Sequence, residues 1–192
     1  GWTCEMREVP QAIVVPPAAQ DFVQEAGVLH DDGRYCPTGA LWRNGRALTV
    51  EPPMPKGNLP LRKGRWLWGG VLWMHFGHFL VESTSRLWAL PELKGEIDGI
   101  LFVPKRPRNG SEVADFQKVF IDLMGCDVPV VCADKPEQVE QLVIPGQGFG
   151  LGTMIEGTQN YQDAIQGHFA KDIAADGPEK LYISRSALPV SY

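Results

Sequence analysis

The sequence predicts an α/β fold: a parallel sheet with flanking helices on both faces, plus an antiparallel extension at the N-terminus. Three observations carry this expectation. From residue 66 onward, strand-length apolar runs alternate with segments of helical spacing, the pattern that builds a parallel sheet from β-α-β units. Before residue 60 the chain holds only short runs closed by Pro, Gly or an Asn-Gly pair, which is hairpin chemistry. With 192 residues, 44% hydrophobic and 21% charged, the composition is that of a folded globular protein, long enough to bury roughly 70% of its unfolded surface.

Taken in order, AIVV (12–15) is a strand stopped by Pro16-Pro17. Residues 27–36 form a hairpin through Asp31-Asp32-Gly33, and residues 40–50 a second one turning at Asn44-Gly45, the preferred pair for a two-residue loop. EPPMPKGNLP (51–60) carries four prolines and is a connecting loop. WLWGGVLWMHF (66–76) is a buried strand feeding a loop, and HFLVESTSRLWALPEL (78–93) is a helix stopped at Pro91. GILFVP (99–104) is a buried strand. SEVADFQKVFIDLMG (111–125) is a helix with Ser111 as N-cap, Glu112 and Asp115 in its first turn and Gly125 past its end. VPVVCA (128–133) and QLVIPG (141–146) are strands, 160–175 is a helix, and EKLYISR (179–185) is a last strand. The chain thus divides into an irregular hairpin extension over 1–60 and an α/β lobe over 61–192.

Charge and cysteine usage narrow the function classes. The net charge of -5 opposes non-specific nucleic-acid binding, which needs a basic field. No run of 18 or more apolar residues is present, so no membrane-spanning helix is expected. Cys4, Cys36, Cys126 and Cys132 contain no CxxC pair and no zinc-type spacing to histidine. A Cys4–Cys36 bridge and four free thiols both remain open. A reducing, cytoplasmic compartment is the default.

The chemistry concentrates in residues 75–87. His78, Glu82 and Arg86 stand at i, i+4 and i+8. Each four-residue step on an α-helix is offset by only about 40°, so the three would share one ridge. Imidazole, carboxylate and guanidinium on an apolar helix make sense where that ridge lines a cleft, because simple burial would be costly. The imidazole or the carboxylate can take a proton from an attacking hydroxyl, and the guanidinium can pair with the carboxylate or bind an anionic substrate. The competing reading is an exposed face with a Glu82–Arg86 pair worth a few tenths of a kcal/mol. His75, His78 and Glu82 could also hold a metal, although the spacing is not His-Glu-x-x-His.

Elsewhere, GQGFGLG (146–152) follows a strand but departs from Gly-x-Gly-x-x-Gly at Leu151, so a mobile loop at a cleft rim is expected in place of a phosphate cradle. Arg62, Lys63 and Arg65 form one basic cluster; Lys105, Arg106 and Arg108 form another. The second follows the carboxyl end of a strand, where open α/β sheets bind ligands. Ordinary solvated loops, an acidic glycan and peripheral contact with an anionic membrane surface are the alternatives. Of the tryptophans, most belong to the core, and one or two could stack on sugar rings.

GHFLVESTSRLWAL (77–90) resembles the signature helix of glycosyltransferase family 61, the capsular-polysaccharide-biosynthesis-like family, whose pattern is His-Trp-aliphatic-x-Asp, three residues, then Arg-Leu. His78 and Arg86-Leu87 match; Phe79 replaces Trp, Glu82 replaces Asp, and Ser85 stands where Pro is usual. LYISR (181–185) resembles the family's Tyr-Ile-x-Arg segment. The resemblance spans about residues 66–187. It implies a Rossmann-like lobe of a GT-B enzyme: an inverting, metal-independent transferase, with a nucleotide-sugar donor as co-substrate and a capsular or surface glycan as acceptor. His78, Glu82 and Arg86 would then be catalytic, with Glu82 or His78 as base, and His75, Arg106 and Arg185 would bind substrate. The family's chain continues well past its Tyr-Ile-x-Arg segment, so residues 1–192 correspond to the acceptor-side lobe, with the donor bound mainly by a further lobe and no transfer expected from this part alone. The alternative is a non-catalytic glycan-binding or interaction module derived from that lobe.

Overall fold

Residues 61–72 alternate Trp66 and Trp68 with Leu67, and this period of two makes them a strand buried on both faces. In a computed structural model of the chain, which describes residues 1–169 and 176–178, ten strands form. They are β1 (Met6–Val15), β2 (Gln24–Glu25), β3 (Gly27–Leu29), β4 (Trp42–Arg43), β5 (Arg46–Ala47), β6 (Thr49–Val50), β7 (Leu61–Leu72), β8 (Gly99–Pro104), β9 (Val130–Cys132) and β10 (Glu137–Pro145). The central sheet has six of them in the order β3-β1-β10-β7-β8-β9. β10, β7, β8 and β9 are mutually parallel, and β1 and β3 extend the β10 edge antiparallel. Numbered by chain position, the parallel strands lie 3-2-1-4, an order compatible with a Rossmann-like sheet.

The two faces of the sheet are covered differently. Leu67, Ile100, Phe102 and Val143 face one core with Phe79, Leu87, Trp88 and Ile121. Phe116 and Phe120 of α2 (Asp115–Leu123) and Tyr161 and Ile165 of α3 (Gln159–Phe169) pack on that core. Trp66, Trp68, Leu101 and Ile144 face the other core with Val28, Cys36, Leu41 and Leu48. Helices on both faces were expected. Among the described residues they cover one face, and the N-terminal segment covers the other. The physical reason is that Val28, Leu41 and Leu48, read as parts of small hairpins, supply the apolar surface that a second helical layer would otherwise provide.

Several local expectations hold. Asn44 (φ 52°) and Gly45 (φ 70°) form a left-handed two-residue turn between β4 and β5. Gly125 (φ 74°) follows α2 as its C-terminal stop. That helix is capped at Ala114 and starts at Asp115, three residues later than a Ser111 cap implies; the Gln117 side chain accepts the Ala114 N–H there, 2.7 Å. All four cysteines are free. Helix 160–175 is seen to Phe169; its remainder and the strand expected at 179–185, with Arg185, lie outside the described residues. No helix among the described residues is long and apolar enough to cross a membrane.

Candidate active site

A helix expected over 78–93 is replaced by a broken segment. α1 (Phe76–His78) runs into a π-turn over Phe79–Ser83, then turns, then a 3₁₀ turn at Leu87–Ala89. The Thr84 N–H donates to the Phe79 carbonyl five residues back, 3.2 Å. The cause is legible in Ser83-Thr84-Ser85, whose hydroxyls compete for backbone groups. Ser83 Oγ donates to the Val71 carbonyl (2.8 Å) and accepts the Trp73 N–H (3.0 Å), stitching the segment to the end of β7. Thr84 and Ser85 donate to the Leu80 and Glu82 carbonyls, 2.8 and 2.6 Å.

This break splits the expected ridge. His78 and Glu82 still meet, with Nδ1 2.9 Å from Oε2. Arg86 does not join them, because the π-turn and the turns over 84–86 that follow it carry its side chain off that face. The residue is 2% exposed, and its guanidinium donates to the carbonyls of Pro145 and of Ala40, the latter at 2.7 Å. Burial pushes its pKa down to about 10, while Cys36 and Tyr35 oppose that shift. Gly70 (φ 87°) is the bulge on β7 that makes room, since a Cβ there would stand 3.3 Å from Arg86 Nε. Arg86 ties two loops together and touches no open surface.

The partner of Glu82 is instead Arg43, in the β4–β5 hairpin. Arg43 Nε donates to Oε1 at 2.8 Å and Nη2 to Oε2 at 2.6 Å, a bidentate fork on a carboxylate whose side chain is 0% exposed. Gln147 holds this hairpin in place. Its amide is buried and pairs with both backbone groups of Trp42, accepting N–H at 2.8 Å and donating to the carbonyl at 2.9 Å. The GQGFGLG segment is therefore packed, and its glycines permit close approach. A Cβ on Gly148 would meet Trp88 and Thr158, 2.9 Å away, and one on Gly146 would run into the Trp2 carbonyl.

His78 stacks on Trp73, with centroids 4.3 Å apart and planes at 19°. Lys105 and Arg43 both sit 5.6 Å from that indole, so its faces are engaged and Trp73 is not free to stack on a sugar. Trp42 is half-buried, and Trp66, Trp68 and Trp88 are core residues. Lys105, read as part of a loop cluster, is buried at the end of β8 and donates to Gln24 Oε1 (2.6 Å) and the Phe22 carbonyl (2.9 Å). Burial, then the nearby charges of Arg106 and Arg43, push its pKa down to about 8.

A cleft of ≈ 320 Å³ opens beside these groups, lined by Trp73, His75, His78, Lys105, Arg106 and Arg108, among others. It lies past the carboxyl ends of adjacent parallel strands β7 and β8, beside the β10–β7 step where the strand order reverses. His75 is exposed at its edge, its ring 5.3 Å from His78. Of the site residues read from the sequence, His75, His78 and Arg106 reach this cleft and Glu82 lies directly behind it. Arg86 does not reach it, and Arg185 is outside the described residues. No group of three metal-ligating side chains converges among the described residues.

The chemistry of the arrangement follows from its proton inventory. A carboxylate oxygen only accepts, so the Nδ1–Oε2 contact calls for the hydrogen on His78 Nδ1, and in the neutral imidazole this leaves Nε2 as the acceptor. The imidazole is about one-third exposed, 32%, against 0% for the carboxylate. His78 is the group a solvent-borne hydroxyl can reach, and Glu82 is the group that orients it. Arg43 and Gln147 went unnoticed in the sequence. The one available hint was the Asn44-Gly45 turn, which projects the residue beside it from a hairpin. Compared with protein-family models, curated proteins and solved structures, the chain matches none.

Proposed function

We propose that this chain is the acceptor-side, Rossmann-like lobe of an inverting GT-B glycosyltransferase of the family-61 type. It acts on a glycan acceptor with a nucleotide sugar as donor and, as the resemblance implies, needs no metal. The observation that carries the reading is the 2.9 Å His78–Glu82 contact at the carboxyl ends of β7 and β8, with the carboxylate clamped from behind by Arg43. His78 is the general base. As the acceptor oxygen attacks the anomeric carbon, its proton passes to His78 Nε2. The new C–O bond forms and the bond to the nucleoside diphosphate breaks, the diphosphate leaving with the electron pair. Glu82 stabilises the imidazolium that results. Arg86 is a positioning residue that holds the Ala40 and Pro145 loops together.

Transfer from nucleotide-sugar donors, assayed with the chain in its complete open reading frame, tests this. His78→Ala lowers kcat by about 10²–10⁴-fold. Glu82→Gln, which keeps an acceptor for Nδ1–H but removes the charge, lowers kcat less and leaves KM near wild type. Full kcat in His78→Ala would remove the proposed base.

A further inference from the structure

We propose that the cleft beside His78 recognises an anionic substituent, a carboxylate or a phosphate, on the acceptor. Arg106 and Arg108 are the primary contacts, with His75 and Asn109 as further donors. This rests on the acceptor reading above and names its substrate class.

The chain carries a net charge of -5, yet no carboxylate lines this cleft, while Lys105, Arg106 and Arg108 all do. Arg43 is neutralised by Glu82, and the hydrogen-bonding capacity of Lys105 is taken by Gln24 and the Phe22 and Asp21 carbonyls. Lys105 therefore contributes field without a contact. Arg106 and Arg108 are exposed, and among the described residues no carboxylate lies within ion-pair distance of either. Asp134 comes up beside Gly110, at the end of the same turn, but outside the lining. The cleft is thus rich in donors and positive charge, and its complement is an acceptor-rich anion. The turn Pro107–Asn109 fixes the two arginines on either side of a proline, which limits the backbone freedom lost on binding.

The test is binding to the full chain at low ionic strength, by calorimetry. Three probes are used: a tetrasaccharide of alternating hexuronic acid and N-acetylhexosamine, its carboxyl-reduced counterpart, and inorganic pyrophosphate. The expected result is that the acidic tetrasaccharide binds about tenfold or more tightly than the reduced one, and that Arg106→Ala/Arg108→Ala removes this difference. Pyrophosphate binding that is lost in the same variant, with no preference between the tetrasaccharides, assigns the anion as a phosphate. The proposal is overturned if the double variant, unfolding at the wild-type urea midpoint, binds every anionic probe as wild type does. It is also overturned if wild type neither prefers the acidic sugar nor binds pyrophosphate. These readouts need no turnover, so absent transfer leaves the inference standing. Transfer to an acidic acceptor, undiminished in the double variant, would sink it while the transferase reading survives.

Discussion

Replacing Arg43 with Met keeps an unbranched stem but deletes the guanidinium that satisfies Glu82. In the native protein the carboxylate has contacts of 2.8 and 2.6 Å to Arg43 and one of 2.9 Å to His78, and its side chain is wholly inaccessible. Removing one partner of such a pair leaves an uncompensated buried charge, which costs about 3–5 kcal/mol. Loss of the Arg43 contacts over Trp73 and Phe22, at 5.6 and 5.7 Å, adds at most about 1 kcal/mol. Arg43→Met should therefore lower the unfolding free energy by about 3–6 kcal/mol. Glu82→Gln in the same background removes the stranded charge, so the double variant should recover about 2 kcal/mol or more of coupling. Urea unfolding followed by tryptophan fluorescence reads this directly, with six indoles as reporters and an unchanged m-value as the condition for comparison. A loss in Arg43→Met below about 0.5 kcal/mol, the range of ordinary surface changes, would refute the clamp. So would strict additivity of the two substitutions.

Three further outcomes follow from the same geometry. Lys105 is depressed to about 8 by burial, so between about pH 8 and 10.4 the unfolded chain holds a proton that the folded one has released. The wild type should gain stability across that window relative to Lys105→Met, and parallel unfolding curves at pH 7, 8, 9 and 10 would contradict the buried placement. Arg86→Met removes two charge-assisted bonds to buried carbonyls but also a desolvated charge, for a net loss of about 1–3 kcal/mol; Arg86→Lys, unable to span both carbonyls, should not restore it. Gly146→Ala places a methyl against the Trp2 carbonyl and the Thr3 backbone, so a loss of about 1–3 kcal/mol is expected, with faster proteolysis of the N-terminal segment as the second readout.

Only the first step of the ridge His78–Glu82–Arg86 forms. Spacing of four residues implies a shared face only while the helix stays α, and the hydroxyls of Ser83, Thr84 and Ser85 bend this one into a π-turn before Arg86 is reached. The step from His78 to Glu82 runs through the π-turn and still closes a 2.9 Å contact, whereas the turns over 84–86 that follow carry Arg86 away. By the same logic the Asn44-Gly45 turn was readable, because a left-handed pair is a local demand, whereas nothing local says that the residue beside it will reach a glutamate 39 positions later.

The sequence by itself determined what is decided within a few residues: which runs are strands, where α2 stops and where the hairpin turns. Only the tertiary structure decided who pairs with whom. Placing β10 against β7 brings the Gln147 amide to the Trp42 backbone, and that in turn swings Arg43 onto Glu82. The same packing buries Lys105 and leaves Arg106 and Arg108 open at the cleft, although the three are close neighbours in the chain. Charge pairing and burial depend on which groups share a low-dielectric space, and that is set by the sheet order, which no local pattern encodes.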